Sequence, residues 1–196
     1  PSAPADGVES AGAGPTLTPA LPVPAKAAGA VTLATGLLSP DLEARLSRDY
    51  LETMDLIYAG DVAGATARVS ALLAVAPDDP RPYLLKARLM REYVSEQDNR
   101  RENVKPQIDP ILKVLDAARR KSDLILEKHP DSPAGYLYRG WVKMFQGQLH
   151  ELAFEHWSAG RAAKSGKSDL DKVLAADPHN PDALMIEGTY LYFADL

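Results

Sequence analysis

The chain has 196 residues, a formal net charge of −5 and no cysteine. This length predicts one domain with a hydrophobic core of its own, plus an appendage. The lack of cysteine excludes a disulfide scaffold and a cysteine-based zinc or redox site, and the dispersed basic residues argue against a nucleic-acid binder. No apolar run reaches the roughly 20 residues that a transmembrane helix needs.

Residues 1–38 differ in composition from the rest of the chain. Pro, Ala, Gly, Ser and Thr dominate, aromatic residues are absent, and Lys26 is the only basic residue. Such a segment cannot bury enough apolar surface to offset the entropy lost on ordering, so we predict a disordered tether. Its residues 30–38 are apolar enough to lie against the domain or against a partner.

The same composition is typical of the spacer that follows the lipidated N-terminus of a bacterial lipoprotein. On that interpretation a lipid anchor would lie upstream of Pro1. The protein would then be exported, and it would be periplasmic or associated with the cell envelope.

Residues 39–196 carry the apolar periodicity of amphipathic helices and are predicted to form one helical domain. The first helix begins at Ser39-Pro40 and the second at Gly60-Asp61, so that the two form a hairpin. A third helix is predicted from residue 80 to about residue 94.

The polar residues 95–109 interrupt this pattern, and they predict a solvated loop or a frayed helix extension that lengthens the hairpin. Alternatively, they form a partner-binding insertion. A fourth helix follows over 110–128. A fifth helix starts at Pro133, bends near Gly147 and continues as one long helix to about residue 176. Small residues along the middle of that long helix favour close packing against a neighbouring helix.

Three short turns of related sequence connect the predicted helices. They are Pro77-Asp78-Asp79-Pro80, Pro130-Asp131-Ser132-Pro133 and Pro178-His179-Asn180-Pro181. The first proline of each turn ends a helix, the residue before the second proline is a favoured N-cap, and the second proline suits the first helical position. After each turn a bulky residue is followed at i+4 by a small one, in the pairs Tyr83 and Ala87, Tyr136 and Gly140, and Leu184 and Gly188. Because such a pair lets two helices approach closely, we predict that Gly140 and Gly188 are packing residues.

This recurring pattern resembles the tetratricopeptide repeat family, and the resemblance extends from about residue 39 to the C-terminus. The turns stand farther apart than the about 34 residues of that family's repeat, so the resemblance is a degenerate one. It implies an all-α fold of stacked antiparallel helical hairpins that form a solenoid.

In the tetratricopeptide family the first helix of each hairpin lines a concave face. Its contacts come from fixed positions of that helix, which are counted here from the second proline of each turn. The resemblance therefore implies a partner-binding groove that includes Arg88, Arg91, Leu137, Trp141, Met185 and Tyr192. Such a groove would be basic at its arginine end and apolar and aromatic at the other end. Alternatively, Trp141 and Tyr192 fill core between long hairpins.

No motif indicates catalysis, a metal site or a cofactor. The densest titratable cluster spans residues 150–156, but His150 and His156 stand six residues apart, about 240° around a helix. They could share a metal ion only if the helix broke between them. No nucleophile stands beside a base and no glycine-rich phosphate loop is present, so we predict a protein that is not an enzyme.

The predicted function is a non-catalytic helical-repeat scaffold that binds a protein or peptide partner in the bacterial cell envelope. An alternative is an accessory subunit of a small-molecule uptake system, in which the helices surround an apolar ligand pocket. A third interpretation is a purely structural subunit. The last predicted helix, 181–196, is apolar around much of its circumference, which favours contact with a second copy, another chain or further sequence.

Overall fold

The computed structural model describes residues 33–94 and 101–194. All regular structure within these ranges is α-helical, which confirms the predicted all-α class. The seven helices described are α1 (Pro40–Tyr58), α2 (Val62–Val75), α3 (Arg81–Arg91), α4 (Arg101–Lys128), α5 (Pro133–Leu152), α6 (His156–Ala176) and α7 (Pro181–Ala194). None of these helices combines the length and the apolar character needed to cross a membrane.

The predicted turn chemistry determines where α5 and α7 begin. Pro133 and Pro181 are the first residues of these helices. The hydroxyl of Ser132 accepts a hydrogen bond from the backbone N–H three residues later at 3.2 Å, and the side-chain oxygen of Asn180 does the same at 3.0 Å. Both residues are therefore the N-caps that the sequence predicts.

Over residues 101–109 the predicted solvated loop is wrong and the alternative of a helix extension is confirmed, because α4 already begins at Arg101. Pro106 and Pro110 lie inside this helix, although proline normally weakens a helix interior. Val104 and Ile108 from the same stretch are buried in the core. Burial of this apolar face thus outweighs the local preference against a helix. Residues 95–100 lie outside the described ranges.

The break between α5 and α6 also differs from the prediction of a long helix with a bend near Gly147. Gly147 lies inside α5, and the chain instead reverses over residues 153–155. Phe154 has a φ of 58°, a left-handed conformation that non-glycine residues seldom adopt. No glycine, proline or asparagine stands there, so the sequence carries no ordinary turn signal.

Each helix packs against the next one in the chain, and in addition α1 packs on α3 and α5 packs on α7. Three clusters of buried residues fill the interfaces. One lies mainly between α4 and α5, the second among α1, α2 and α3, and the third among α5, α6 and α7. The partly buried Trp141 of α5 packs against all three clusters, so it lies at the junction of the helical layers.

Two of the predicted packing glycines have opposite surroundings. A Cβ atom added at Gly140 would lie 3.1 Å from the Leu170 side chain and 3.2 Å from the carbonyl oxygen of Gly166. Gly140 therefore permits the close approach of α5 and α6. A Cβ atom at Gly188 would meet nothing within 4 Å, so the prediction that Gly188 is a packing residue is wrong. The reason is that Gly188 is on the exposed side of α7.

Residues 33–38 pack against the helical domain, although the predicted tether includes them. Leu33, Leu37 and Leu38 contact the hydrophobic clusters. The hydroxyl of Tyr138 in α5 donates a 2.6 Å hydrogen bond to the carbonyl oxygen of Leu33. The packed part of the chain therefore includes residues before Ser39, and the tether prediction now concerns residues 1–32, which lie outside the described ranges.

A buried network of polar side chains holds the same segment against the beginnings of α1 and α3. Arg81 is fully buried and donates to both oxygens of Asp79 at 2.8 Å and to Glu43 at 2.6 Å. Thr35 donates its backbone N–H to Glu43 at 2.9 Å, and its hydroxyl lies 2.8 Å from Glu43 and 3.2 Å from Asp79. Asp79 thus accepts from the backbone N–H of Arg81 at 2.9 Å as well as from its guanidinium, and α3 begins one residue later than predicted.

Candidate functional site

A cavity of about 1050 Å³ lies among α1, α3, α5, α6 and α7. Most lining residues come from the second halves of α1, α3 and α5, from the middle of α7 and from the first half of α6, while Leu84 and Trp141 lie earlier in α3 and α5. Residues 33–38 instead contact the beginnings of α1 and α5 and the turn that leads into α3. The cavity therefore lies toward the opposite end of these three helices from the packed N-terminal segment.

Most of the cavity wall is apolar. Three of the chain's four methionines line it, together with aromatic and aliphatic side chains. These residues are Tyr50, Met54, Tyr58, Leu84, Trp141, Met144, Phe145, Leu152, Met185, Ile186 and Tyr190. Because methionine is flexible and polarizable, such a wall can adapt to apolar groups of different shape.

Trp141 is fixed in position by an aromatic contact across the cavity wall. Its ring lies edge-on to the ring of Tyr50 in α1, with 6.2 Å between the centroids and 67° between the planes. Burial raises the pKa of the Tyr50 hydroxyl far above its ordinary value, with a further contribution from nearby Tyr138. Tyr50 is therefore neutral across the physiological range, and the wall around Trp141 carries no charge from this residue.

Two arginines of α3 supply positive charge to the cavity wall. Arg88 pairs with Glu92 at 3.2 Å, and its guanidinium lies 5.8 Å from the ring centroid of Tyr58. The Nε atom of Arg88 is buried and has no hydrogen-bond partner among the described residues. Arg91 lines the cavity about one turn farther along the helix.

The polar lining residues on α5 and α6 include Gln148, Glu151 and His156. A carboxylate oxygen of Glu151 lies 2.9 Å from Nδ1 of His156. Glu151 is the one carboxylate among the described lining residues, and it already has this partner. The polar part of the cavity wall therefore carries more positive than negative charge.

The two histidines of the cluster at residues 150–156 contact different carboxylates. His150 lies 2.8 Å from Glu155, whereas His156 contacts Glu151. Glu155 also accepts a 2.7 Å hydrogen bond from Lys105 of α4. Hydrogen bonds from Lys105 and from His150 lower the pKa of Glu155 to about 2. This ionised carboxylate joins α4 to the turn between α5 and α6.

The structure brings together four of the six residues predicted for the groove. Arg88, Arg91, Trp141 and Met185 all line the cavity. Leu137 does not line it, because this residue is fully buried in the cluster shared by α5, α6 and α7. The side chain of Tyr192 lies outside the part of the chain that the structure describes. Whether the four lining residues bind a partner stays a prediction.

The counting scheme taken from the resemblance missed the α1 and α6 parts of the wall. Tyr50 and Met54 belong to the apolar stripe of α1, but a stripe predicts only that a face is turned inward. It does not distinguish a filled interior from a hollow one. Ala159 and Ala163 of α6 belong to the small residues that predict close helix packing. In the structure they border both the contact between α5 and α6 and the cavity.

Comparison of this chain with known protein families, with curated proteins and with solved structures finds no match.

Proposed function

We propose that this protein is a non-catalytic binding protein whose cavity holds an apolar small molecule. The observation that carries the proposal is the cavity of about 1050 Å³ with its methionine-rich and aromatic wall. Small-molecule sites are mostly apolar concavities of about 300–1000 Å³ with a few polar groups that fix orientation. The volume and lining of this cavity agree with that description.

The arrangement of the helices supports the tetratricopeptide-like interpretation. Each described helix packs on its successor, and the alternate helices α1, α3, α5 and α7 all contribute to the cavity wall. Stacked helical hairpins characteristically present a concave surface of this kind. We also propose that the protein works in the bacterial cell envelope, on the basis of the spacer-like composition of residues 1–38.

A second candidate function is a scaffold for a protein or peptide partner. It is favoured by apolar side chains that are exposed outside the cavity. Trp157 is 88% exposed at the start of α6, and Phe154 is 45% exposed beside it. On α7, Leu184 and Leu191 are also exposed, and this helix is the proposed contact with a second copy or a larger assembly. Exposed aromatic residues often anchor protein interfaces.

The neutral fluorescent probe N-phenyl-1-naphthylamine distinguishes these functions. We expect saturable binding of one probe molecule per chain, with loss of at least about tenfold in affinity for Trp141→Ala, because that substitution removes a large apolar contact. Trp157→Ala is the matched control, since Trp157 is exposed and does not line the cavity. We expect it to leave probe binding unchanged.

Failure of the wild-type protein to bind the probe, or equal binding by both variants, would contradict the small-molecule proposal. In that case a pull-down with the wild-type chain tests the scaffold. A protein that is captured by the wild type and lost with Trp157→Ala would support the second candidate.

A further inference from the structure

Arg88 has donor groups that its own chain uses only in part. Its side chain is 41% exposed and makes one ion pair, with Glu92 at 3.2 Å. The face of the guanidinium lies over the ring of Tyr58. The Nε atom is buried and has no hydrogen-bond partner among the described residues. An N–H group in this state is destabilising, and few occur in folded proteins.

A carboxylate is the acceptor that best fits a partly used guanidinium. The Nε and Nη2 donors of arginine form a planar edge that matches the two oxygens of a carboxylate. In Arg88 the Nη2 atom is the one that pairs with Glu92, so a ligand carboxylate would share Nη2 with Glu92 or displace it. Because the side chain of Arg88 is only partly buried, rotation of its torsions can present this edge to a molecule in the cavity. A ligand carboxylate would then supply the acceptor that Nε lacks.

The other charged groups of the cavity wall favour an anion over a cation. Arg91 is a second arginine of the wall, and it has an interaction of its own. Glu151, the one carboxylate among the described lining residues, contacts His156, and Glu92 pairs with Arg88. Asp182 lies near Tyr50 and has a buried carboxylate oxygen without a hydrogen-bond partner, but it does not line the cavity. An anionic group at Arg88 would therefore meet positive charge without an unpaired carboxylate from the lining. A cationic group would have to displace one of these existing pairs.

The rest of the cavity wall is mostly apolar. It suits the apolar part of a ligand and provides few partners for a second charged group. Trp141, Met144 and Met185 come from two different helices and are joined by further aromatic and aliphatic side chains. We infer that the cavity binds a lipophilic carboxylic acid of small-molecule size, with its carboxylate on Arg88 and its apolar body against these residues. This inference rests on the proposed function and specifies the chemical class of the ligand.

Three compounds of equal chain length test the inference by displacement of bound N-phenyl-1-naphthylamine. They are dodecanoate, dodecanol and dodecylammonium, which carry a negative, a neutral and a positive head group. We expect dodecanoate to displace the probe at about tenfold lower concentration than dodecanol, which is the effect of one charge-assisted hydrogen-bonded pair. Dodecylammonium should be the weakest competitor.

Substitution of Arg88 tests whether this residue is the source of the preference. Arg88→Gln should reduce the ratio between dodecanoate and dodecanol to about one while the neutral probe still binds. Arg88→Lys keeps the charge but loses the planar edge, so we expect an intermediate ratio. Arg161→Gln on the exposed side of α6 is the matched control, since Arg161 does not line the cavity.

The outcomes separate the inference from the proposed function. Equal displacement by dodecanoate and dodecanol in the wild type, or an unchanged ratio in Arg88→Gln, would overturn the inference and leave an apolar binding site. If Arg88→Gln does not fold, the ratio between dodecanoate and dodecanol is compared between the wild type and Arg88→Lys. An equal ratio in these two proteins would then overturn the inference. Failure of the probe and of all three compounds to bind the wild-type protein would overturn both proposals.

Discussion

Arg81 and Arg88 stand seven residues apart on the same face of α3, but they lie in opposite kinds of environment. Arg81 is fully buried, and its guanidinium donates to Asp79, Glu43 and Ser47. Arg88 has one ion pair and a buried Nε without a partner. Each guanidinium also lies 5.8 Å from the ring centroid of a tyrosine, so aromatic contact does not distinguish them.

The difference between the two arginines follows from what each end of α3 faces. At the beginning of α3, the carboxylates of Glu43 from α1 and Asp79 from the preceding turn pair with Arg81, and the hydroxyl of Thr35 contacts both carboxylates. Burial alone would lower the pKa of Arg81, but the hydrogen bonds that it donates to Asp79 and Glu43 raise this pKa above its ordinary value. At the other end of the helix the helices enclose a cavity. We therefore interpret Arg81 as part of the folded scaffold and Arg88 as part of a binding site.

The largest effect is expected when the two arginines are replaced in turn by methionine. Arg81→Met leaves Glu43 and Asp79 buried without their cation, which should reduce the free energy of unfolding by about 3–5 kcal/mol. Arg88→Met removes only a partly exposed ion pair, so we expect a change within about 1 kcal/mol. Urea unfolding of both variants measures the contrast. Equal losses would show that the environments of the two arginines do not differ energetically.

A smaller loss is expected when the segment packed near Arg81 is removed. A chain that begins at residue 39 lacks the leucines and Thr35 that contact the domain, whereas a chain that begins at residue 33 keeps them. We expect the shorter chain to be less stable by roughly 2–4 kcal/mol, from lost apolar burial and lost hydrogen bonds. The chain that begins at residue 33 should unfold like the full chain if residues 1–32 are a tether. Equal stability of the two truncated chains would show that residues 33–38 contribute nothing.

Helical periodicity and turn chemistry predict much of the fold, because both depend on local sequence. The caps Ser132 and Asn180 act within their own turns, and four residues of sequence contain the whole interaction. The reversal at Phe154 and the helix through Pro106 depend instead on distant packing. Residue propensity opposes both, so no local pattern could have predicted them.

The candidate site could be predicted only in part for a similar reason. Arg88, Trp141 and Met185 follow from counting along helices after each turn. The part contributed by Tyr50 and Ala163 depends on how separate helices meet in space. Nothing in the sequence around Thr35 indicates that its partners are Glu43 and Asp79, which lie 8 and 44 residues away. Long-range polar pairing of this kind becomes visible only in three dimensions.

A matched pair of glycines extends the comparison between filled and open regions. In Gly140→Ala the added methyl group meets Leu170 and the carbonyl oxygen of Gly166, which should destabilise the protein by about 1–2 kcal/mol. In Gly188→Ala the methyl group meets open space, and the higher helix propensity of alanine should stabilise by up to about 1 kcal/mol. Thermal unfolding should therefore shift in opposite directions. A shift in the same direction for both variants would contradict the packing of α5 on α6.

The smallest effect is expected at an ion pair near the surface, because solvent screens the attraction between its two charges. Lys105 and His150 lower the pKa of Glu155 to about 2, from an ordinary value of 4.5. Because the folded-state pKa is the lower one, the unfolded chain binds a proton first as the pH falls. The contribution of Glu155 to stability is therefore complete above about pH 4.5 and is lost as the pH falls toward 2.

Glu155→Gln removes this contribution at every pH. The wild type should exceed the variant in unfolding free energy by less than about 1 kcal/mol near pH 7, since the pair is partly exposed. The difference should shrink as the pH falls from 4.5 toward 2, because protonated Glu155 no longer attracts Lys105. Glu151→Gln is the control variant, because it removes the other Glu–His contact at the junction of α5 and α6. A difference of several kcal/mol between the wild type and Glu155→Gln would mean that this turn excludes solvent as well as the surroundings of Arg81 do. Glu155 would then not represent a surface charge in the comparison with Arg81.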